Sequence, residues 1–328
     1  MDFKPLREII EGNQSFVLTT HVNPDADAIG SQIALYLILK KLNKNIRLIN
    51  FSVTPQNLLF LDFDDVIEHY SPDLHDEVIL SSDVIFLLDL NQASRVVKMG
   101  DILRKTEKPR ICIDHHRDPD DLPNLFFTDD YASATSEILF RFLDETKIVE
   151  PDLQIATALY AGIMTDTGAF RYERTSPYTH HVASRLLEYN VDPNDVYESI
   201  FEKSNINRIN LLGIALASLK MVYDGQLCYM EIRQKDLDST GANESDVDGF
   251  VNYCMTIAGV KIGLLFFELN DGLKISFRSK GTIPINKLAG EYNGGGHFNA
   301  SGARLYNKKI EDYIPKVIAD AEKYLERM

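Results

Sequence analysis

The stretch SFVLTTHVNPDADAIGSQIALYLILKKL, residues 15–42, changes its hydrophobic period partway along. SFVLTT (15–20) is a short run of β-branched and apolar residues, as in a buried strand, whereas over 28–42 the apolar residues recur on one helical face. Between the two lie His21, Asp25 and Asp27, all within seven residues. Three further runs, NIRLIN (45–50), DVIFLLDL (83–90) and RICIDHH (110–116), are also short, apolar and rich in Val, Ile and Leu. Strands without polar alternation predict a parallel sheet covered by helices on both faces. In such α/β sheets ligands gather at the carboxyl ends of the strands. His21 follows the first run, Asp89 sits near the end of the third, and Asp114, His115 and His116 close the fourth.

From about 134 to 218 the pattern turns helical, through ATSEILFRFLDE, DLQIATALYAGIMTDTG, SPYTHHVASRLLEYN and DPNDVYESIFEKSNINRINLLGIALASL. Beyond it, QLCYMEIR (226–233), KIGLLFFEL (261–269) and GLKISFRSK (272–280) read as strands, followed by a glycine-rich loop and a terminal helix. The expected organisation is an α/β domain over 1–190, a helical linker over 191–218, and a smaller α+β domain over 219–328, with the active site in the cleft between the two domains. Hinge motion about such a linker is compatible with this layout.

The 328 residues suffice for one large or two ordinary cores. A formal net charge of −15 disfavours long duplex nucleic acid, which is bound through basic patches. It leaves room for a small phosphorylated ligand in a locally basic pocket. Three scattered cysteines without a CxxC pair argue for reduced thiols. The amino-terminal MDFKPLREIIEGN lacks the apolar core of a signal peptide. No apolar run approaches the ~18 residues of a membrane span. The expectation is a soluble cytoplasmic protein.

Taken singly, the polar residues have ordinary explanations. NPD is turn chemistry, and Asp166 in GIMTDTGAF suits a helix cap. A calcium EF-hand starting at Asn23 fails, because Ala28 and Ala34 stand where Gly and Glu are required. Asp89, however, follows an apolar strand, where a carboxylate is costly unless paired or metal-bound. Together His21, Asp25, Asp27, Asp89, His115 and Asp166 supply imidazole and carboxylate donors without thiolate. That set suits Mn²⁺ best, with Mg²⁺, Co²⁺ or Zn²⁺ compatible. Six donors exceed the needs of one open catalytic ion and suit two metal ions sharing a carboxylate. EYNGGGHFNASGA (291–303) offers three glycines whose amides can approach an anion, with His297 beside them. Arg278 and Lys280, in FRSKG, project on one face of an extended strand. A guanidinium there suits bidentate phosphate binding.

The segments HVNPDADAIGS, LLDLNQASRV, IDHHRDPD, YAGIMTDTGAFRY and GGGHFNASGA run in order from 21 to 303. In them the chain resembles the DHH/DHHA1 phosphoesterase family, in particular its NrnA-like oligoribonucleases and 3′-phosphoadenosine-5′-phosphate (pAp) phosphatases. The resemblance implies that His21, Asp25 and Asp89 hold one metal ion, and Asp27, Asp89, His115 and Asp166 the other. Asp89 would bridge, His116 would face the scissile phosphate, and Asp114 would orient the neighbouring imidazole. Arg278, Gly295, Gly296 and His297 would grip the substrate's other phosphate, with Arg95 and the SATSE segment (133–137), beginning at Ser133, lining the cleft.

Relatives differ in their second half. Family II pyrophosphatases lack GGGH there, and RecJ-type exonucleases usually carry further DNA-binding domains, for which this length leaves no room. The implied function is two-metal hydrolysis of short RNA, and of pAp, to mononucleotides. A cyclic di-AMP or pApA phosphodiesterase and an exopolyphosphatase stay open as enzyme alternatives. A metal-dependent nucleotide-binding regulator is the non-enzyme one, although no metal ligand is missing. The expected partners are short single-stranded RNA or small phosphorylated nucleotides, without long duplex or membrane, and a homodimer is compatible with the chain.

Overall fold

A computed structural model describes residues 1–325 except Ser204, together with their side chains except that of His297. The chain divides into two units, Met1–Lys203 and Ser204–Met328. The division falls inside the stretch read as a linker. Helix Pro193–Phe201 puts Val196 and Ile200 into the core of the first unit, whereas helix Ile206–Ala217 puts Leu211 and Ala215 into that of the second.

The first unit carries β1 (Ser15–Thr19), β2 (Asn45–Asn50), β3 (Ile67–His69), β4 (Val84–Leu88), β5 (Arg110–Asp114) and β6 (Leu125–Thr128). Their order is β3-β2-β1-β4-β5-β6, and every pairing is parallel. In β1, β4 and β5 both faces are buried, which is why these strands are almost wholly apolar. Phe16, Leu18, Phe86, Leu88, Ile111 and Ile113 enter one core, with Ile29 and Ile33 of helix Ala26–Lys41 and Leu159 of helix Leu153–Asp166. Val17, Ile49, Ile85 and Leu87 enter another, with Ile79, Met99 and Leu103. The strand order reverses between β1 and β4. That reversal opens a crevice at the carboxyl ends of these strands, where doubly wound sheets bind ligands.

The second unit carries β7 (Lys220–Val222), β8 (Leu227–Ile232), β9 (Ile262–Leu269), β10 (Gly272–Ser279), β11 (Gly295–His297) and β12 (Ala300–Tyr306). They are ordered β11-β12-β10-β9-β8-β7, and only β8 and β9 pair in parallel. One face packs Leu264, Phe266, Ile275, Phe277 and Ala303 against Ile310, Val317 and Ala321 of helix Ile310–Leu325. The other face changes character along the sheet. Over β8 and β9 it holds Cys228, Met230, Leu265 and Phe267, packed with Leu211, Phe250 and Cys254. Across β10, β12 and β11 the same face presents Ser276, Gly302 and Gly295 in one row and Arg278, Ala300 and His297 in the next.

The glycine-rich stretch expected as a loop is in part a hairpin, β11 with β12. Gly296 has φ +140°, a conformation that L side chains rarely adopt, so a backbone that composition marks as loop is held in the sheet. Strands β3, β6 and β7 had no sequence signal. β3 and β7 have only three residues each, and β6, at a sheet edge, exposes Leu125 and Phe126. Among the described residues no helix is long and apolar enough to cross a membrane.

Candidate metal centre

The crevice at β1 and β4 collects side chains from five separate segments. Asp25 is the N-cap of helix Ala26–Lys41, its Oδ1 accepting from the amides of Asp27 (3.1 Å) and Ala28 (3.0 Å). The cap fixes the loop, and the first helical turn then carries Asp27 into the protein. Both oxygens of buried Asp27 accept amides that open helix Thr135–Thr146, Thr135 at 2.7 Å and Ser136 at 2.9 Å. A helix amino terminus favours such a carboxylate.

His21 is buried just past β1. Its Nδ1 donates to the Val22 carbonyl (2.9 Å), which turns Nε2 toward Asp89 Oδ2 (3.2 Å) and Asp25 Oδ2 (3.9 Å). Asp89 follows β4 at φ +55°, a left-handed conformation that costs a non-glycine residue energy. Its amide donates to Ile113 O (3.1 Å), and Thr135 Oγ1 donates to its Oδ1 (3.1 Å). His115 follows β5, with Nδ1 donating to Ala132 O (3.3 Å) and Nε2 at 3.0 Å from Asp166 Oδ2 and 3.5 Å from Asp89 Oδ1. Asp166 is the last residue of helix Leu153–Asp166.

Asp27, Asp89, His115 and Asp166 form one cluster whose ionisation is mutually dependent. Burial and the nearby Asp166 and Asp89 carboxylates raise the Asp27 pKa well above the ordinary range. Burial also works to raise Asp89, but the His116 and His21 imidazoles outweigh it and hold Asp89 well below that range. Asp166 rises to about 6, mainly through burial. Burial lowers the histidines, yet the adjacent Asp166 carboxylate, with those of Asp89 and Asp27, pushes His115 up to about 9. His116 is pushed up to about 10 against its burial. Its Nδ1 lies 2.7 Å from Asp114 Oδ1 and 3.3 Å from Asp89 Oδ1, and its backbone amide donates to the same Asp114 oxygen (3.0 Å). Asp114 therefore orients His116, and orienting contacts of this kind set which nitrogen of an imidazole faces outward.

The residues present fit a divalent cation. Nε2 of His21 and of His115 are buried and make no hydrogen bond, which is costly for a polar atom unless another partner takes it. Among the described residues, donor atoms within 4.8 Å of one another occur in three groups: His21, Asp25 and Asp89; Asp27, His115 and Asp166; and Asp89, Asp114, His115 and His116. Hard oxygen with some imidazole nitrogen and no thiolate favours Mn²⁺ or Mg²⁺ over softer ions.

Other expected site residues lie nearby in sequence but differ in placement. Arg95 Nη1 donates to the Asp89 carbonyl (3.3 Å), and its own carbonyl accepts from the Val22 amide (2.6 Å), tying the β1 and β4 loops together. Ser133 is buried, and its hydroxyl donates to Glu137 Oε2 (2.6 Å), so that group is spent inside the protein. In the SATSE segment the amides of Thr135 and Ser136, and the Thr135 hydroxyl, are what reach the cluster.

Two contributors carried no sequence signal. A Cβ at Gly162 would lie 2.2 Å from Ser136 Oγ and 2.6 Å from Asp27 Oδ1, so glycine there lets helix Leu153–Asp166 come against the pinned carboxylate. Arg174 Nη1 donates to the His115 carbonyl (3.3 Å).

In the second unit, Arg278 Nε donates to Asn252 Oδ1 (3.0 Å) and Nη1 to Phe277 O (3.0 Å). Arg278, Ala300 and His297 are directly opposed across β10, β12 and β11, a register that places them on one face. The His297 side chain lies outside the described residues. A Cβ at Gly295 would meet nothing within 4 Å, whereas one at Gly296 would come within 2.6 Å of the Ala300 carbonyl oxygen. Gly296 is thus needed by the hairpin, and Gly295 is free to be approached.

Comparison with known proteins bears on both units. Residues 15–163 match the DHH family, N-terminal domain, and residues 224–327 match the DHHA1 domain. The chain belongs to the DHH/DHHA1 family. It is 31% identical over 314 residues to the bifunctional oligoribonuclease and PAP phosphatase NrnA of Bacillus subtilis, covering 94% of each chain. It is also similar to a solved Bacteroides fragilis protein described as exopolyphosphatase-related, with TM-score 0.91, 30% identity, and coverage of 99% of this chain and 95% of that one. The exonuclease RecJ, solved bound to manganese, shares the fold with TM-score 0.55 at 15% identity, covering 100% of this chain and 96% of that one.

Proposed function

We propose that this chain is a cytoplasmic phosphoesterase that uses two divalent ions, Mn²⁺ by the chemistry of its donors, to hydrolyse short RNA oligonucleotides and pAp to mononucleotides. The observation that carries the reading is the buried cluster at the β1/β4 crevice, with two imidazole Nε2 atoms that lack hydrogen bonds and face carboxylates. It is supported by the relative named as an oligoribonuclease and PAP phosphatase, which matches over nearly all of its own length.

His21, Asp25 and Asp89 would hold one ion, and Asp27, Asp89, His115 and Asp166 the other. Such a pair neutralises charge on a phosphoryl group and activates water. The chain's own residues do the rest. His116, whose Nδ1 is held by Asp114, would give a proton to the departing oxygen. Arg95 steadies the loops that carry His21 and Asp89. Arg278, with the Gly295 amide and His297 on the same sheet face, would hold a phosphate that is not being cleaved.

The test is Mn²⁺-stimulated turnover of pApA, pAp, cyclic di-AMP and polyphosphate. Hydrolysis of pApA and pAp well above the other two is expected. Preference for cyclic di-AMP or polyphosphate would replace the substrate assignment, and tight nucleotide binding without turnover would make the chain a regulator.

A further inference from the structure

The loop that leaves Asp166 has an unusual backbone. Gly168, Ala169 and Phe170 have φ of +56°, +57° and +64°, three successive residues in the left-handed region, two of them with side chains that disfavour it. The loop is held there firmly. The amides of Arg171 (2.8 Å) and Tyr172 (2.9 Å) both donate to the Thr167 carbonyl, and Ala169 donates to Met164 O (2.8 Å). Thr167 Oγ1 accepts from the Phe170 amide (3.0 Å), Arg171 Nε donates to Gly168 O (2.8 Å), and the Phe170 ring stacks on His180 with centroids 5.3 Å apart.

Both ends of this loop reach the metal centre. Asp166 ends the preceding helix beside His115 Nε2 (3.0 Å), and Arg174 donates to the His115 carbonyl (3.3 Å). Between them stands Tyr172, 55% exposed. Its ring is not loose. A Cβ at Gly168 would lie 2.4 Å from Cζ and 2.6 and 2.7 Å from the two Cε atoms, with the hydroxyl oxygen not among the three nearest atoms. Similar distances to three ring carbons place Gly168 over the ring plane, not at its edge. One face of the tyrosine therefore rests on a glycine backbone that no other residue could provide, and the ring remains substantially open to solvent.

We propose that Tyr172 is a stacking platform for a nucleobase of the substrate, next to the scissile phosphate. This rests on the phosphoesterase reading above and adds to it the group that recognises a base. A π-face accepts any base, so the platform gives affinity without sequence preference, as an enzyme of mixed short oligonucleotides requires. A ring already fixed by its backbone loses little freedom on binding, so most of the stacking energy is retained. A base-free phosphate or polyphosphate would gain nothing from it.

The test compares pAp with ribose 3′,5′-bisphosphate, the same two phosphates without the base, in saturating Mn²⁺. Tyr172→Ala should lower kcat/KM for pAp about 5–150-fold, the range for one base–aromatic stack, and leave the base-free substrate within twofold. Tyr172→Phe should behave as wild type on both. A second measurement does not depend on turnover. The chain contains no tryptophan, so Tyr172→Trp introduces a single tryptophan whose emission is excited selectively. Its emission should be quenched by 5′-AMP and not by ribose 5-phosphate. Equal losses on the two substrates, or absence of quenching by 5′-AMP, would overturn the platform. Failure of the wild-type protein to hydrolyse either pAp or pApA would instead overturn the underlying function.

Discussion

The two units arrange the residues proposed to handle phosphate in opposite ways. In the first, imidazoles and carboxylates converge in a buried crevice, drawn from the ends of β1, β4 and β5 and from two helices. In the second, Arg278, Ala300 and the Gly295 backbone lie on a sheet face that its own hairpin builds, with Gly295 exposed. The buried cluster has charges that depend on one another. Removing one leaves the others uncompensated, and burial makes each uncompensated charge expensive. The sheet face is additive, because a half-buried guanidinium outside any carboxylate cluster contributes what its contact is worth and little more. Expected effects should therefore be large and shared by all substrates in the first unit, and small and dependent on the substrate in the second.

Asp89→Ala is the sharpest way to break that contrast. It removes a carboxylate common to two of the donor groups and the counter-charge of His21 and His116. Hydrolysis of pApA and of the minimal ester bis-p-nitrophenyl phosphate should both fall by about 10³-fold or more, while the far-ultraviolet circular dichroism is retained. Near wild-type turnover of either substrate would refute the shared-carboxylate assignment.

His116→Ala separates proton transfer from metal holding. A loss of about 10²–10⁴-fold in kcat is expected, with bound Mn²⁺ unchanged by elemental analysis. His115→Ala should lose metal as well. Equal metal loss in the two variants would mean that His116 is a ligand.

Arg278→Ala tests the other side of the comparison. A charge-assisted phosphate contact is worth about 1.5–3 kcal/mol, so kcat/KM for pAp should drop roughly 10–150-fold. Bis-p-nitrophenyl phosphate, which has no second phosphate, should be affected much less. Equal losses on both would place Arg278 in the chemistry or in the fold.

The pH dependence of metal uptake follows from the raised imidazoles. His115 at about 9 is protonated in the metal-free protein at neutral pH, and a ligand nitrogen must be unprotonated. Binding therefore expels at least one proton, and Mn²⁺ affinity should rise about tenfold per pH unit up to about pH 9 and level off above it. Titration calorimetry in buffers of different ionisation enthalpy reads the released proton directly. A pH-independent affinity between 6 and 8 would contradict it.

The smallest effect expected is at Gly295. A methyl group there meets open space, so Gly295→Ala should leave thermal stability within about 0.5 kcal/mol of wild type, like other surface changes. A rise in KM for pAp alone would show that a ligand approaches that backbone. Unchanged KM would remove Gly295 from the phosphate grip.

Much of this protein was legible from its residues because burial on both faces writes itself as unbroken apolar runs. β1, β4 and β5 carry that mark. His21, Asp89 and His115 stood out because a polar residue where such a run ends has few cheap explanations. What remained hidden lacked a local cost. Edge strand β6 exposes part of its apolar surface, and the β11–β12 hairpin is made of residues that composition assigns to loops. Ser133, expected at the site, is turned inward by its bond to Glu137, a partner that composition alone does not select.

The sequence by itself determined the kind of chemistry: a donor set of imidazole and carboxylate, a parallel sheet to present it, and a glycine-rich stretch with an arginine nearby. Only the tertiary structure decided how those donors are held. The amides of Thr135 and Ser136 reach Asp27 across more than a hundred residues, Gly162 admits the helix that carries Asp166, and Gly168 seats the ring of Tyr172. An amide or an absent side chain has no chemical signature in a sequence. Its role exists only once packing has brought a particular neighbour within reach.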